Sequence, residues 1–140
     1  TNTIANLIVG GVREAIEGSR GKVIFVMNLM ARAGETYNYQ ASDFLHDISR
    51  YINPQKISHI LLNSDTAISP RLRKLYQAEN SILVADDLNK TWHSAKVMRV
   101  KLRSHERVVK QSGDKLERSM VRHNPRLLAN ALMKIFSGKI

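Results

Sequence analysis

The sequence predicts an α/β fold built on a parallel sheet, and three observations carry that prediction. Val23, Ile24, Phe25, Val26 and Met27 form a short apolar run rich in β-branched residues, the pattern of a strand buried on both faces. Phe44, Leu45, Ile48, Tyr51 and Ile52 then recur at helical spacing, so the polar stretch 28–43 joins a strand to an amphipathic helix. Strands and helices go on alternating, which is the signature of βαβ units. In open parallel sheets ligands bind in loops just beyond the carboxyl ends of the strands, and that makes 28–43 the first place to expect a site.

Taken in order, Ile4, Leu7, Ile8, Gly11, Val12, Ala15 and Ile16 follow the i, i+3, i+4, i+7 rule and predict one amphipathic helix over 4–17. Thr1, Asn2 and Thr3 stand at its N-cap, while Gly18 and Gly21 turn the chain into a strand over 22–28. Gly10 and Gly11 fall inside this helix, where they would let it pack closely on the sheet. No strand precedes them, so they are not a phosphate-binding glycine loop, and no Rossmann or P-loop glycine pattern occurs in the chain.

A helix is predicted over about 42–52, a turn at Asn53-Pro54, and a second buried strand over 59–63. Ser69 caps and Pro70 opens the next helix, with Leu72, Leu75 and Tyr76 on one face. Residues 81–84 read as a third strand ending at Asp86 and Asp87. The order αβαβαβ predicts a Rossmann-like three-layer arrangement, helices packed against a parallel sheet.

Beyond residue 90 the texture changes. Residues 96–102 mix apolar and charged side chains, as in an edge strand or an irregular crossing. Residues 103–119 are almost wholly polar, with Gly113-Asp114 as a turn signal, and 90–119 reads as a basic segment that is inserted or mobile. Asn124 and Pro125 then open a last helix whose stripe is Leu127, Leu128, Ala131, Leu132, Ile135 and Phe136, and Gly138 ends it.

The 140 residues fit one domain with 43% apolar residues. The absence of cysteine excludes disulfides, thiol chemistry and cysteine zinc sites, and agrees with a cytoplasmic setting. No apolar run approaches a membrane span, and the N-terminus lacks the pattern of a signal peptide. A chain that starts at Thr1, almost on a helix, reads as a piece of a longer protein. The net charge of +10 is unevenly spread: residues 1–89 hold nine basic and nine acidic residues, whereas 90–126 hold eleven basic and three acidic. Such a block either attracts phosphate, on nucleic acid, a nucleotide or a membrane, or is a solvated basic surface.

The five histidines show no metal-ligand spacing, no nucleophile elbow appears, and Asp86-Asp87 reads as a turn. Three places suit an anion, each with a plainer alternative. They are the helix start at 1–6, alternatively an ordinary cap; the Gly34-Glu35-Thr36 loop beside Asn28, alternatively a plain loop; and Arg122-His123-Asn124 before a helix, alternatively an exposed Arg and a capping Asn. Tyr76 reads as a core-edge aromatic or as a face for a base.

Asn28-Leu29-Met30, then Gly34-Glu35-Thr36 and Ala41-Ser42-Asp43, resemble the central signature of the gluconeogenesis factor family, whose members bind uridine diphospho-sugars and are related to 2-phospho-L-lactate transferases. The opening helix, Leu75-Tyr76 ahead of Val84, and Arg122-His123-Asn124 with Leu128-Ala129 resemble further parts of that family in the same order. The resemblance implies the C-terminal half of a larger α/β domain, the N-terminal half of the same protein being a partner that holds the glycine-rich loop. It also implies that Thr1, Asn2, Asn28, Gly34, Glu35, Thr36, Tyr76, Arg122 and His123 lie near the ligand. The chain departs from the family at Ala31-Arg32-Ala33, Tyr37-Asn38, Phe44, Asn2 and Ala5; Arg32 adds charge and Tyr37 adds bulk beside the sugar pocket.

The expected function is that of a non-catalytic, nucleotide-sugar-binding regulator of cytoplasmic carbon and cell-wall metabolism. Its ligand would be a UDP-sugar, with no metal, no other cofactor and no catalytic residue. A phospholactate-type transferase is the alternative. Nucleic-acid binding through 90–126, with Arg99, Lys101 and Arg103 as its cations, ranks last because aromatic residues are not interleaved there. A homo-oligomer is compatible with all three.

Overall fold

A computed structural model describes residues 2–106 and 121–138, the side chain of Asn2 excepted. The main sheet has four strands in the order β1 (Val23–Val26), β3 (Ile57–Asn63), β6 (Ala95–Val100) and β5 (Thr91–Trp92). β1 runs parallel to β3, β3 parallel to β6, and β5 is an antiparallel edge. The α/β architecture is therefore as predicted.

Alternate strand residues feed two cores, which is what a sheet covered on both faces requires. On one face Val23, Phe25, Ile60, Leu62 and Val97 meet Phe44, Leu45 and Ile48 of α3 (Ala41–Ser49), with Ile4, Leu7 and Ile16 at the margin. On the other, Ile24, Val26, Leu61, Met98 and Val100 meet Leu128, Ala131, Leu132 and Ile135 of α5 (Pro125–Ser137). These are the three layers. A third, smaller cluster joins Leu29, Met30 and Val121 to Tyr76 and Leu72 of α4 (Pro70–Ala78).

The caps follow their sequence signals. Ser69 accepts from Leu72 N ahead of Pro70, and Asn124 accepts from Arg126 N and Leu127 N ahead of Pro125. Gly138 closes α5 at φ +67°, a left-handed conformation that suits glycine. At α3 the Asp87 carboxylate accepts from the Ser42 amide and hydroxyl, tying the end of the third predicted strand to a helix start.

Several expectations are corrected. The predicted helix over 4–17 is two helices, α1 (Asn2–Leu7) and α2 (Val12–Gly18), because Gly11 sits at φ +84° between them. A Cβ at Gly10 or Gly11 would meet nothing within 4 Å, so the glycines serve a corner and not a close approach to the sheet. Ile8, counted toward the buried stripe, is 65% exposed at that corner, and its neighbour Val9 is 57% exposed.

Residues 81–84 do not join the parallel sheet. β4 (Ile82–Leu83) pairs antiparallel with β2 (Met30–Ala31), a short strand inside the stretch read as loop. The inner position in the main sheet goes to β6, from the segment read as an edge or irregular crossing. Its charged residue Arg99 is no obstacle to this, since it lies against Asp86 and the Leu88 carbonyl.

His59 is half-buried on the inner strand β3. Leu75, Leu127 and Phe136, placed on apolar faces from spacing, are 41%, 37% and 59% exposed. Residues 107–120, with the Gly113-Asp114 turn signal, lie outside the described residues. The start of the polar segment, Arg103 and Ser104, is buried and ordered by partners.

Candidate ligand-binding cleft

The site begins where β1 stops. Met27 still pairs with β3, its amide donating to the Leu61 carbonyl at 2.9 Å, and Asn28 follows at the carboxyl edge of the sheet. Residues 32–36 then form a closed turn. The Thr36 amide donates to the Arg32 carbonyl at 2.9 Å, and the Arg32 amide donates back to Thr36 Oγ1 at 3.1 Å. Thr36 is buried, so its hydroxyl holds the turn from within, while Gly34 takes the left-handed position at φ +79°. This construction leaves Arg32 and Glu35 exposed on the turn.

A second wall comes from far along the chain. Residues 121–124 run antiparallel beside 102–104: the Ser104 amide donates to the Arg122 carbonyl at 2.8 Å, the Asn124 amide donates to the Leu102 carbonyl at 2.7 Å, and Arg103 and His123 form a β-bridge. One position earlier, the Val121 amide donates to the Tyr76 hydroxyl at 2.9 Å.

Between the walls lies a cleft of about 360 Å³. Asn28, Arg32, Glu35, Thr36, Arg122 and His123 line it, with Thr3, Leu29, Met30 and Val121 completing the surface. Two arginines and one glutamate line this space, a balance that suits an anionic ligand. Burial pushes the His123 ring below the usual histidine pKa, and the Met27 carbonyl beside it only partly opposes the shift. His123 Nε2 is buried without a well-formed hydrogen bond.

The structure thus gathers five of the sequence-selected residues, Asn28, Glu35, Thr36, Arg122 and His123, around one cleft. Gly34 shapes the turn without lining it. Tyr76 is 6% exposed and stands behind Leu29 and Met30; it borders a neighbouring cleft of about 290 Å³ with Arg73, Gln77 and Ser81. Asn2 is the first residue of α1, and Thr1 lies outside the described residues. Sequence reasoning passed over Arg32 as a site residue and included Thr3 only within the helix start at 1–6. Thr3 read as a cap, and Arg32 was weighed only as a departure from a family pattern, although its charge beside a strand end is itself a usable signal.

Two cations of the basic block, Arg99 and Arg103, form ion pairs within the chain. Arg103 pairs with Asp65 at 3.0 Å, both side chains being nearly buried, and also donates to the Ala67 carbonyl. Burial alone would raise the Asp65 carboxyl, but the Ala67 amide and the Arg103 guanidinium outweigh it and hold the pKa below the usual aspartate value. Asp86 is likewise held low by Arg99 and the Leu88 amide against the effect of burial. Two of the three cations expected to contact nucleic acid therefore pair with carboxylates of the same chain, Arg103 in the interior and Arg99 at the surface. Among the described residues no group of three His, Asp or Glu is placed to hold a metal, and no helix is long and apolar enough to cross a membrane.

Comparison with known proteins agrees with this architecture. The family model for 2-phospho-L-lactate transferase CofD matches residues 1–104. A relative from Halalkalibacterium halodurans described as gluconeogenesis factor is 28% identical over 134 residues, 96% of this chain and 38% of its own. A Thermotoga maritima relative, whose name also carries the words gluconeogenesis factor, is 37% identical over 87 residues, 62% of this chain and 27% of its own. The crystal structure of protein BH3568 from Bacillus halodurans superposes with a TM-score of 0.73 at 26% identity, covering 91% of this chain and 38% of that one. The chain thus spans well under half the length of the relatives it matches.

Proposed function

The chain belongs to the 2-phospho-L-lactate transferase CofD family, and from that premise we propose that its cleft is one wall of a nucleotide-sugar site serving a regulator of cytoplasmic carbon and cell-wall metabolism. The ligand in this reading is a uridine diphospho-sugar. The observation that carries it is the meeting of Arg32 and Arg122, ninety residues apart in sequence, on one cleft at the carboxyl edge of a parallel sheet. A diphosphate needs fork-shaped cationic donors, and guanidinium supplies them. Asn28 and Thr3 add neutral polar groups for the ribose or sugar hydroxyls, and Glu35 can accept from a hydroxyl.

The remainder of the site belongs, in this proposal, to the additional length that the relatives possess. A thermal-shift panel of UDP, UDP-glucose and UDP-N-acetylglucosamine on the full-length protein tests the reading. Saturation at a hundred times Kd should stabilise the fold by about 2.7 kcal/mol. No stabilisation by any member counts against it. The transferase name of the matching family model favours a second reading, an enzyme of that class. Turnover of a guanosine diphospho-lactyl donor decides for the enzyme.

A further inference from the structure

We infer that Tyr76 is a positioning residue for the cleft, acting through its hydroxyl on Val121 and thereby on Arg122, and not a face on which the ligand's base stacks. This rests on the ligand reading above. Tyr76 is 6% exposed, packs in one cluster with Leu29, Met30 and Val121, and does not line the cleft of Arg32 and Arg122, so a base bound there cannot stack on it without opening that cluster. Its hydroxyl oxygen accepts the Val121 amide at 2.9 Å, in a contact that is itself buried. A backbone amide buried against apolar side chains needs such a partner.

The geometry makes the tyrosine common to both walls. Leu29 and Met30, which follow Asn28, and Val121, which precedes Arg122, all line the cleft and all pack on Tyr76. Further along, the strip 121–124 is also held by Leu102 and Ser104. The Tyr76 hydroxyl is therefore a tie at the start of the strip, one residue before Arg122, which lines the cleft. Because Tyr76 lies on α4, this tie also links the small β2–β4 sheet to the site.

Phenylalanine separates the two roles, since it keeps the ring and removes the oxygen. In Tyr76→Phe, hydrogen exchange at the Val121 amide should accelerate about tenfold or more. UDP affinity, measured on the full-length protein, should weaken about fivefold or more, and the loss should vanish in an Arg122→Gln background because the tyrosine acts through that residue. Retained affinity in Tyr76→Phe with loss in Tyr76→Leu would assign stacking and overturn the proposal. If the wild type binds no UDP, the ligand reading fails and Val121 exchange alone judges the tie: an amide whose exchange is unchanged by the substitution overturns it. Should the variant not fold, exchange in the wild type suffices, because an unprotected Val121 amide contradicts the tie outright.

Discussion

The Arg103 guanidinium meets the Asp65 carboxylate at 3.0 Å with side chains only 8% and 12% exposed, so this pair belongs to the interior. It stands at the carboxyl ends of β3 and β6, where Asn63 also accepts the Leu102 amide. Arg103 is at the same time the bridge partner of His123. The pair thus fixes the strand against which the second wall of the cleft is laid.

Removing one partner of a buried pair leaves an uncompensated charge. Asp65→Asn should destabilise the fold by about 3 kcal/mol, measured by urea denaturation. The pH dependence has a defined sign. Because the folded pKa of Asp65 is depressed, its contribution is complete above the unfolded value near 3.8 and is lost as pH falls below it through the folded value. Acid unfolding of the wild type should therefore steepen below about pH 4, and Asp65→Asn should remove part of that slope.

Two histidines give a second window. Burial lowers the pKa of both His59 and His123, and the cations Lys22 and Lys96 add to the effect at His59. The unfolded chain then takes up protons before the folded one does. Stability should be flat above about pH 6.5 and decline as pH drops below it. His59→Gln should flatten the decline when stability is measured from pH 8 to pH 5.

The glycine pair separates backbone strain from space. Gly11→Ala places a Cβ at φ +84° and should cost about 1 kcal/mol, although that Cβ meets nothing within 4 Å. Gly10→Ala, without a positive φ, should fall within about 0.5 kcal/mol of the wild type. Melting curves of the two variants make the comparison.

Thr36 holds the turn by one hydroxyl. Thr36→Val keeps the shape and strands the Arg32 amide, so it should cost about 1 to 2 kcal/mol, whereas Thr36→Ser should retain most of the stability.

How far the sequence reveals this molecule depends on how local each signal is. The Ser69-Pro70 and Asn124-Pro125 helix starts and the buried run at β1 were legible, because caps and apolar runs are satisfied by neighbours in sequence. The helix break was hidden by an apolar period that continues across Gly10 and Gly11, and only the left-handed φ of Gly11 reveals the corner. β6 was obscured by its charges, since Arg99 finds Asp86 thirteen residues away. The same holds for Arg103, whose place in a polar segment gave no hint of burial against Asp65. At the cleft, Asn28, Glu35 and Arg122 were legible from motif and strand end, but the walls' common backing by Tyr76 depends on a contact across forty-five positions.

The most direct test of the central proposal is calorimetric titration of the full-length protein with UDP-N-acetylglucosamine, UDP-glucose and UDP, each repeated on Arg122→Gln and Arg32→Gln. The account predicts saturable binding of at least one of them, weakened about tenfold or more by either substitution, with melting temperature nearly unchanged. Binding that is indifferent to both arginines, or no binding of any of the three, would contradict it.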